Sequence, residues 1–168
     1  LVLAWALSDV GDALGAARFV AETLSGRFPP ELLPACVFLA GALLSFATGS
    51  SWGTFAILMG LVIPTAAQLD APMVVCIAAV LSGGLFGDHA SPISETTILS
   101  ATGAGSAQFD HFRTQLPYAL ANGSVALGGF LVAGWLPSPL LVIPVVLLQL
   151  CGWLLLVRTR GSADARAG

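Results

Sequence analysis

The sequence contains no lysine, and charged residues of all kinds occupy only 9% of its 168 positions. Soluble globular domains carry about 25% charged residues, so this shortage excludes an ordinary soluble domain. The six basic residues are all arginines, and they form no patch of the kind that binds nucleic acid. We therefore predict no nucleic-acid partner and expect a membrane as the environment of the chain.

Cysteine is also scarce, and Cys36, Cys76 and Cys151 lie far apart in apolar runs. Because they lack the spacing of a metal site, we interpret them as small packing residues. We predict no bound cofactor.

Apolar sequence is abundant. Hydrophobic residues make up 57% of the chain, and the mean hydropathy is +0.91. Residues 140–157 are apolar at nearly every consecutive position, whereas the strands of a membrane β-barrel alternate between apolar and polar residues. The fold class predicted from these features is an all-α polytopic membrane protein, with the lipid bilayer as its first partner.

Polar interruptions divide the chain into a membrane domain, residues 1–157, and a short tail, residues 158–168. Within the membrane domain we predict the end of an interrupted span (1–17), a re-entrant helical hairpin (32–67), a discontinuous transmembrane helix (72–103) and two plain spans (115–136 and 140–157). The tail carries Arg158, Arg160 and Arg166, and the positive-inside rule places it in the cytoplasm. The expected location is therefore the cell (inner) membrane, with a cytoplasmic C-terminus.

The numbering begins inside an apolar run, without an initiator Met or the charged start of a signal peptide. We expect the chain to be the C-terminal portion of a longer protein. Its partners would then be the N-terminal half of the same protein and, as a second candidate, another copy in a homodimer.

The hairpin prediction rests on residues 32–67, which are apolar on both sides of a polar stretch of small residues, 47–54. One helix of this length would exceed the hydrocarbon core of roughly 30 Å, and two full spans would leave no residues for a turn in water. Two half-length helices that meet at a polar tip fit better, provided that the tip is buried in protein or lines an aqueous cavity. Gly49 and Gly53 are the predicted backbone breaks.

A second irregular segment, residues 87–94, combines two ionisable side chains, two serines, a glycine and a proline. We predict a helix that breaks at Gly87 and resumes with Ser91 as its N-cap and Pro92 at its first helical position. The positive end of the second half then points at the break. An aspartate inside a membrane is costly and marks a functional site by default, so Asp88 is the leading candidate.

Hydroxyls and freed carbonyl groups are hard oxygen ligands suited to Na⁺, and Asp88 adds a negative charge. A proton and a cation can compete for one carboxylate, which is the minimal mechanism of cation/proton exchange. His89 is either a pH sensor or proton relay, or a side chain hydrogen-bonded to a carbonyl group. Asp12 either caps a helix or faces a polar cavity, and Glu95 either balances a helix dipole or holds a second exchangeable charge.

Residues 87–97, GDHASPISETT, resemble the signature of NhaC-type Na⁺/H⁺ antiporters, whose usual form is GDHCSPISDTT. Residues 46–55, FATGSSWGTF, are similar to the family's FxTGTSWGTx segment, and residues 4–15 give a weaker third match. Ala90 stands where the family often has Cys, and Glu95 where it often has Asp.

The resemblance implies an ion-transporter-type fold with re-entrant hairpins and broken helices, coupled to transported Na⁺ and H⁺. On that basis we expect Asp88 to bind the ion or proton, and Asp12 or Glu95 to hold a second charge. Neutral oxygen ligands are expected from the hydroxyl side chains Thr48, Ser50, Ser51, Ser91 and Ser94. The Na⁺ ion itself is predicted to bind at Asp88, Ser91, Thr48 and Ser50.

Three alternatives to Na⁺/H⁺ exchange stay open. The resembled family includes exchangers of organic acids and amino acids, so a Na⁺- or H⁺-coupled organic antiporter is the nearest alternative. Residues 84–88, GLFGD, are a near miss for the GxGD motif of intramembrane aspartyl proteases, with Asp12 as the only candidate partner. A non-catalytic membrane subunit would leave the polar breaks without a purpose. We therefore expect transport and no enzymatic activity.

Overall fold

The computed structural model describes residues 2–167, apart from the side chains of Ala4 and of residues 155–167. Residues 2–167 form helices and contain no strand, which confirms the all-α class. The helices are α1 (Val2–Ala13), α2 (Ala16–Leu24), a 3₁₀ turn (Pro30–Leu32), α3 (Leu33–Thr48), α4 (Ser51–Gln68), α5 (Met73–Ala90), α6 (Glu95–Gly103), α7 (Gln108–Trp135) and α8 (Pro139–Ala167). The predicted tail lies partly outside this description, because residue 168 and the side chains of residues 158–167 are not part of it.

Four of the helical segments are long and apolar enough to cross a membrane: Pro30–Thr48, α4, α5 and α7. Large apolar side chains such as Leu43, Val74 and Leu148 point outward from the fold. An outward-facing apolar surface on several long helices is what a bilayer requires, because lipid replaces water around it. The chain is accordingly a multi-pass membrane protein.

Helices α3 and α5 run parallel and approach closely along a row of glycines. A side chain at Gly83 would collide with the backbone of Phe38, and one at Gly87 would collide with the carbonyl oxygen of Ala42. Both contacts pair a residue of α3 with one 45 positions later in α5. Small residues at such a crossing let two membrane helices pack backbone against backbone.

Helix α7 runs back along the other side of this pair. Phe38 stacks on Phe86 with ring centroids 5.7 Å apart, and its ring also lies 5.4 Å from that of Phe130. Gly123 faces the Phe86 ring so closely that a side chain there would not fit. The three aromatic rings form the buried junction of α3, α5 and α7.

The irregular segments gather at two opposite ends of this bundle. One end contains the turns near Glu31, Asp70 and Pro137, which line a shared cavity. The other contains the α3–α4 turn and residues 91–94, and Gln108 at the start of α7 reaches it by donating to the Pro92 carbonyl. The depth of the α3–α4 turn in a membrane, and with it the re-entrant hairpin, stays a prediction.

The helix break after α5 lies later than predicted. Helix α5 continues through Gly87 and Asp88 to Ala90, and the irregular segment is residues 91–94. The prediction of a break at Gly87 is therefore wrong. The physical reason is that a glycine is needed at position 87 because the Ala42 backbone leaves no space for a side chain. It is not needed there to break the helix.

The capping prediction is also wrong in detail. Ser94 is the N-cap of α6, and its Oγ accepts a hydrogen bond from the Thr96 amide at 3.1 Å. Ser91 and Pro92 precede the helix instead of starting it, because the Ser91 hydroxyl donates to the Phe46 carbonyl of α3.

The α3–α4 turn consists of two residues, Gly49 and Ser50. Gly49 has a φ of +67° and ends α3, and Ser50 caps α4 by accepting from the Gly53 amide at 3.3 Å. Gly53 is thus not a backbone break, since it belongs to the first turn of α4. A serine cap immediately after a left-handed glycine reverses the chain without further irregular residues.

The N-terminal helices are separated by Gly15, which has a φ of +69°. On the exposed face of α2, the Arg18 Nε donates to the Glu22 Oε1 at 2.7 Å, and this bond raises the pKa of Arg18. Such exposed pairs contribute little to stability.

Candidate functional site

The two irregular segments meet in the fold. The Ser91 hydroxyl donates to the Phe46 carbonyl oxygen at 2.8 Å, which joins the break after α5 to the last turn of α3. A Cβ atom at Gly49 would lie 2.8 Å from the Ile93 carbonyl oxygen. The segments are far apart in sequence, so these contacts are a property of the tertiary structure.

Asp88 lies beneath this junction and is only 2% exposed. Its Oδ1 accepts a hydrogen bond from the Ser94 hydroxyl at 2.7 Å, and its Oδ2 accepts one from the Thr96 hydroxyl at 3.4 Å. Among the side chains that the structure describes, no basic nitrogen lies within 4.0 Å of this carboxylate. A buried acid is therefore held by neutral donors alone.

Ser94 connects the carboxylate to the start of α6. Its Oγ accepts from the Thr96 amide and donates to Asp88, so one side chain both caps the helix and orients the acid. The N-terminus of α6 carries the positive end of the helix dipole, which stabilises negative charge nearby. The arrangement places a buried carboxylate beside the positive end of a helix dipole.

Side chains from α6 and α7 fix the backbone of the break. Thr97 donates to the Ser91 carbonyl at 3.2 Å, and Gln115 donates to the His89 carbonyl at 3.1 Å. The Ser91 carbonyl is buried outside a regular helix and needs such a donor, whereas the bond from Gln115 joins the exposed end of α5 to α7. The break is consequently an ordered structure and not a loose loop.

The predicted ligands fall into two groups. Ser91 and Ser94 are fully buried around the break, and Ser51 is buried in the first turn of α4. Thr48, by contrast, is exposed, and its hydroxyl donates to the Leu44 carbonyl of its own helix at 2.8 Å. The oxygen of Ser50 is engaged as the α4 cap.

The remaining ionisable candidates are exposed in the described fold. His89 Nδ1 lies 2.9 Å from the Leu85 carbonyl oxygen, one turn earlier in α5, and Glu95 is exposed in the first turn of α6. Asp12 borders a separate cavity of about 190 Å³ between α1, α2 and α4, which no residue of the Asp88 cluster lines. The structure therefore does not bring Asp12 to Asp88.

Sequence reasoning missed Ser45. This residue is fully buried in α3, and its hydroxyl has no hydrogen-bond partner among the residues described. A serine inside the apolar run of α3, one turn before Gly49, was the available signal. The run was interpreted only as a helix that leads to the polar tip.

The oxygen atoms that could coordinate an ion at this site belong to the Asp88 carboxylate itself, to several hydroxyls and to backbone carbonyls. Within the described part of the chain, no group of three His, Cys, Asp or Glu side chains can hold a metal ion. Oxygen-only donors with a single charge are typical of sites for hard cations rather than for zinc or other transition metals.

Residues 1–135 match the model of the Na⁺/H⁺ antiporter family. The chain belongs to the Na⁺/H⁺ antiporter family. The match covers every residue named at the Asp88 site.

Three curated relatives illustrate the range of this family. The chain is 38% identical over 141 residues to an uncharacterised protein of Haemophilus influenzae, covering 83% of this chain and 27% of the relative. It is 32% identical over 100 residues to an uncharacterised Na⁺/H⁺ antiporter of the same organism, covering 57% of this chain and 21% of the relative. It is 35% identical over 107 residues to the arginine/ornithine antiporter ArcD of Halobacterium salinarum, covering 61% of this chain and 22% of the relative.

A fourth relative is the malate-2H⁺/Na⁺-lactate antiporter of Bacillus subtilis, which is 28% identical over 107 residues and covers 64% of this chain and 23% of the relative. The chain thus spans about a quarter of the length of these curated relatives. No solved structure matches it.

Proposed function

We propose that the protein carrying this chain is a secondary antiporter of the NhaC type that exchanges Na⁺ for H⁺, with Asp88 as the residue that binds both ions in turn. The observation that carries the proposal is the burial of Asp88 among neutral donors at the junction of two irregular segments. Membership in the Na⁺/H⁺ antiporter family supports it independently.

The mechanism follows from competition at one carboxylate. An anionic Asp88 attracts Na⁺, and the hydroxyls of Ser91 and Ser94 can replace part of the hydration shell of the ion. Protonation of Asp88 removes that charge, so the ion loses its main attraction and leaves. Each state excludes the other, which couples the two gradients without a second acidic residue at the site.

The second candidate is a Na⁺- or H⁺-coupled antiporter of an organic acid or amino acid. Two relatives that are named for such substrates, arginine/ornithine and malate/lactate, support it. Within the described side chains no arginine lies at the Asp88 site, so a substrate carboxylate would have to bind elsewhere in the protein. Na⁺/H⁺ exchange uses only groups that the site contains, and we prefer it for that reason.

The wider setting is part of the proposal. We place the protein in the inner membrane with the C-terminus in the cytoplasm, because the arginines of the tail favour that side. Since the chain spans about a quarter of its relatives, the transport path would be completed by further parts of the same protein or by a second copy.

The test is ΔpH dissipation in everted vesicles that contain the protein at its natural length, with Asp88→Asn, Asp88→Glu and the control Asp110→Asn. Asp110 is an exposed acid in the first turn of α7, so its loss changes charge without touching the site. We expect Asp88→Asn to lower the Na⁺-dependent rate at least tenfold, Asp88→Glu to retain part of it, and the control to match the wild type. A normal Na⁺-dependent rate in Asp88→Asn would show that Asp88 is not the residue that couples Na⁺ to H⁺. A response to malate or arginine without one to Na⁺ or Li⁺ would favour the second candidate.

A further inference from the structure

Ser45 is the one buried hydroxyl of the α3–α5 contact that the described fold leaves without a partner. Threonine hydroxyls in α3, α4 and α6 donate back to their own helix: Thr48 to Leu44, Thr65 to Leu61 and Thr102 to Ile98. Ser45 is 0% exposed and makes no such bond. A buried polar group without a partner is rare in proteins and calls for a specific explanation.

The register of the two parallel helices places Ser45 at the level of Asp88. A Cβ atom at Gly41 would lie 3.3 Å from the backbone nitrogen of Gly84. Ser45 and Asp88 each follow these residues by four positions, which is about one helical turn. Ser45 and Asp88 therefore lie on adjoining turns of two helices in direct contact.

The neighbouring contacts bring the same turns of α3 and α5 together. The Cβ position of Gly87 is 2.9 Å from the backbone nitrogen of Phe46, and the Ser91 hydroxyl binds the Phe46 carbonyl. Ser45 is therefore enclosed between the turn of Asp88 and the end of α3. Its oxygen is a neutral, hard donor, and Asp88 on the adjoining turn carries the only buried charge among the described side chains.

We propose that the Ser45 hydroxyl is an oxygen ligand of the transported monovalent cation at Asp88, in the role that the sequence predicted for Thr48. This inference rests on the proposed function, because it assigns one more ligand to the same site. Thr48 is less suited to the role, since its side chain is exposed on α3 whereas Ser45 is fully buried.

The experiment compares Ser45→Ala, Ser45→Cys and the control Thr65→Val in the protein at its natural length. Thr65 is equally buried, but its hydroxyl has carbonyl partners at Leu61 and Ala17. Two readouts are needed: the apparent KM and maximal rate of Na⁺-dependent ΔpH dissipation in vesicles, and equilibrium binding of ²²Na⁺ to the purified protein. We expect Ser45→Ala to raise the apparent KM and weaken ²²Na⁺ binding at least tenfold, with a maximal rate within twofold of the wild type.

Ser45→Cys preserves the side-chain volume but offers a soft sulfur, so it should weaken Na⁺ binding as well. Thr65→Val should bind Na⁺ like the wild type. Unchanged ²²Na⁺ binding in both Ser45 variants would overturn the inference, as would failure of both to fold, since Ser45 would then serve packing alone.

The outcomes separate the two proposals. Wild-type protein that binds ²²Na⁺ through Ser45 but does not exchange it for protons would refute the proposed function and keep the ligand assignment. Exchange that is normal in Ser45→Ala would refute only the ligand assignment. Wild-type protein that neither binds nor exchanges Na⁺ would refute both.

Discussion

At the scale of single residues, the decisive feature is how Asp88 stays buried without a cationic partner. Burying an unpaired charge is costly unless hydrogen bonds replace those lost from water. Ser94 supplies the short bond to the carboxylate and at the same time caps α6. Removal of the Ser94 hydroxyl should therefore remove both a hydrogen bond to the Asp88 carboxylate and the N-cap of α6.

We predict that Ser94→Ala destabilises the protein by about 1.5–3 kcal/mol, the usual range for a hydrogen bond to a charged group. The matched control is Ser100→Ala, which changes an exposed serine of the same helix and should stay within about 0.5 kcal/mol of the wild type. Thermal unfolding of the purified protein in detergent, followed by circular dichroism, measures both. Equal midpoints for the two variants would mean that the Ser94 bond to Asp88 is not formed.

In Na⁺-free buffer, Ser45→Ala should stabilise the protein, whereas Ser94→Ala destabilises it. Deleting a hydroxyl that has no partner removes a desolvation cost of about 1–3 kcal/mol, so the unfolding midpoint should rise. Thr97→Val is the comparison, because its hydroxyl donates to the Ser91 carbonyl and its loss leaves that acceptor unpaired. A lowered midpoint for Ser45→Ala would show that the hydroxyl has a partner in the ion-free protein.

At the scale of helices, the sequence allowed the all-α class and the approximate positions of both irregular segments to be predicted. It did not distinguish two uses of glycine. Gly49 is required for its positive φ, whereas Gly87 is required because Ala42 leaves no space for a side chain. Both look alike in an apolar run, since only the pairing of α3 with α5 reveals the second use. Ser45 was missed for the same reason.

Gly49→Ala should be more harmful than the matched change Gly105→Ala. Both glycines have a positive φ, +67° and +64°, so alanine is strained at either position. Only at Gly49 would the new Cβ also lie 2.8 Å from the Ile93 carbonyl, whereas Gly105 has open space. We expect Gly49→Ala to lower the unfolding midpoint further than Gly105→Ala and to impair exchange. An equal decrease of the unfolding midpoint in Gly49→Ala and Gly105→Ala would show that the two irregular segments are not in contact.

Gly87→Ala tests the close contact of α3 and α5. The added methyl group would collide with the Ala42 carbonyl, which belongs to a helix backbone and cannot move aside. Overpacking of this kind costs about 1–3 kcal/mol. Gly103→Ala, at a helical glycine with open space around it, should be neutral. If Gly87→Ala unfolds at the temperature of Gly103→Ala, then α3 and α5 are not packed backbone to backbone.

At the scale of the whole molecule, the parallel course of α3 and α5 fixes which segments share a membrane face. The α3–α4 turn and the break after α5 lie at one end of the bundle, beside the polar start of α7 at Gln108. The turns near Asp70 and Pro137 lie at the other end. The site should therefore open towards the face that carries residues 104–113, which we propose to be the cytoplasmic face because of the arginine distribution.

Single cysteines in an otherwise cysteine-free protein test this arrangement through labelling by a membrane-impermeant maleimide. We expect Ser106→Cys to react rapidly from the cytoplasmic side, and Gln68→Cys and Ser138→Cys to react from the outside. Ala47→Cys, an exposed position in the last turn of α3, should react only from the cytoplasmic side. Its rate should be at least tenfold below that of Ser106→Cys, because reagent reaches a re-entrant tip at membrane depth only through a water-filled cavity. A rate equal to that of Ser106→Cys would mean that α3 and α4 cross the membrane as two full spans, and labelling from the outside would reverse the proposed orientation of the site.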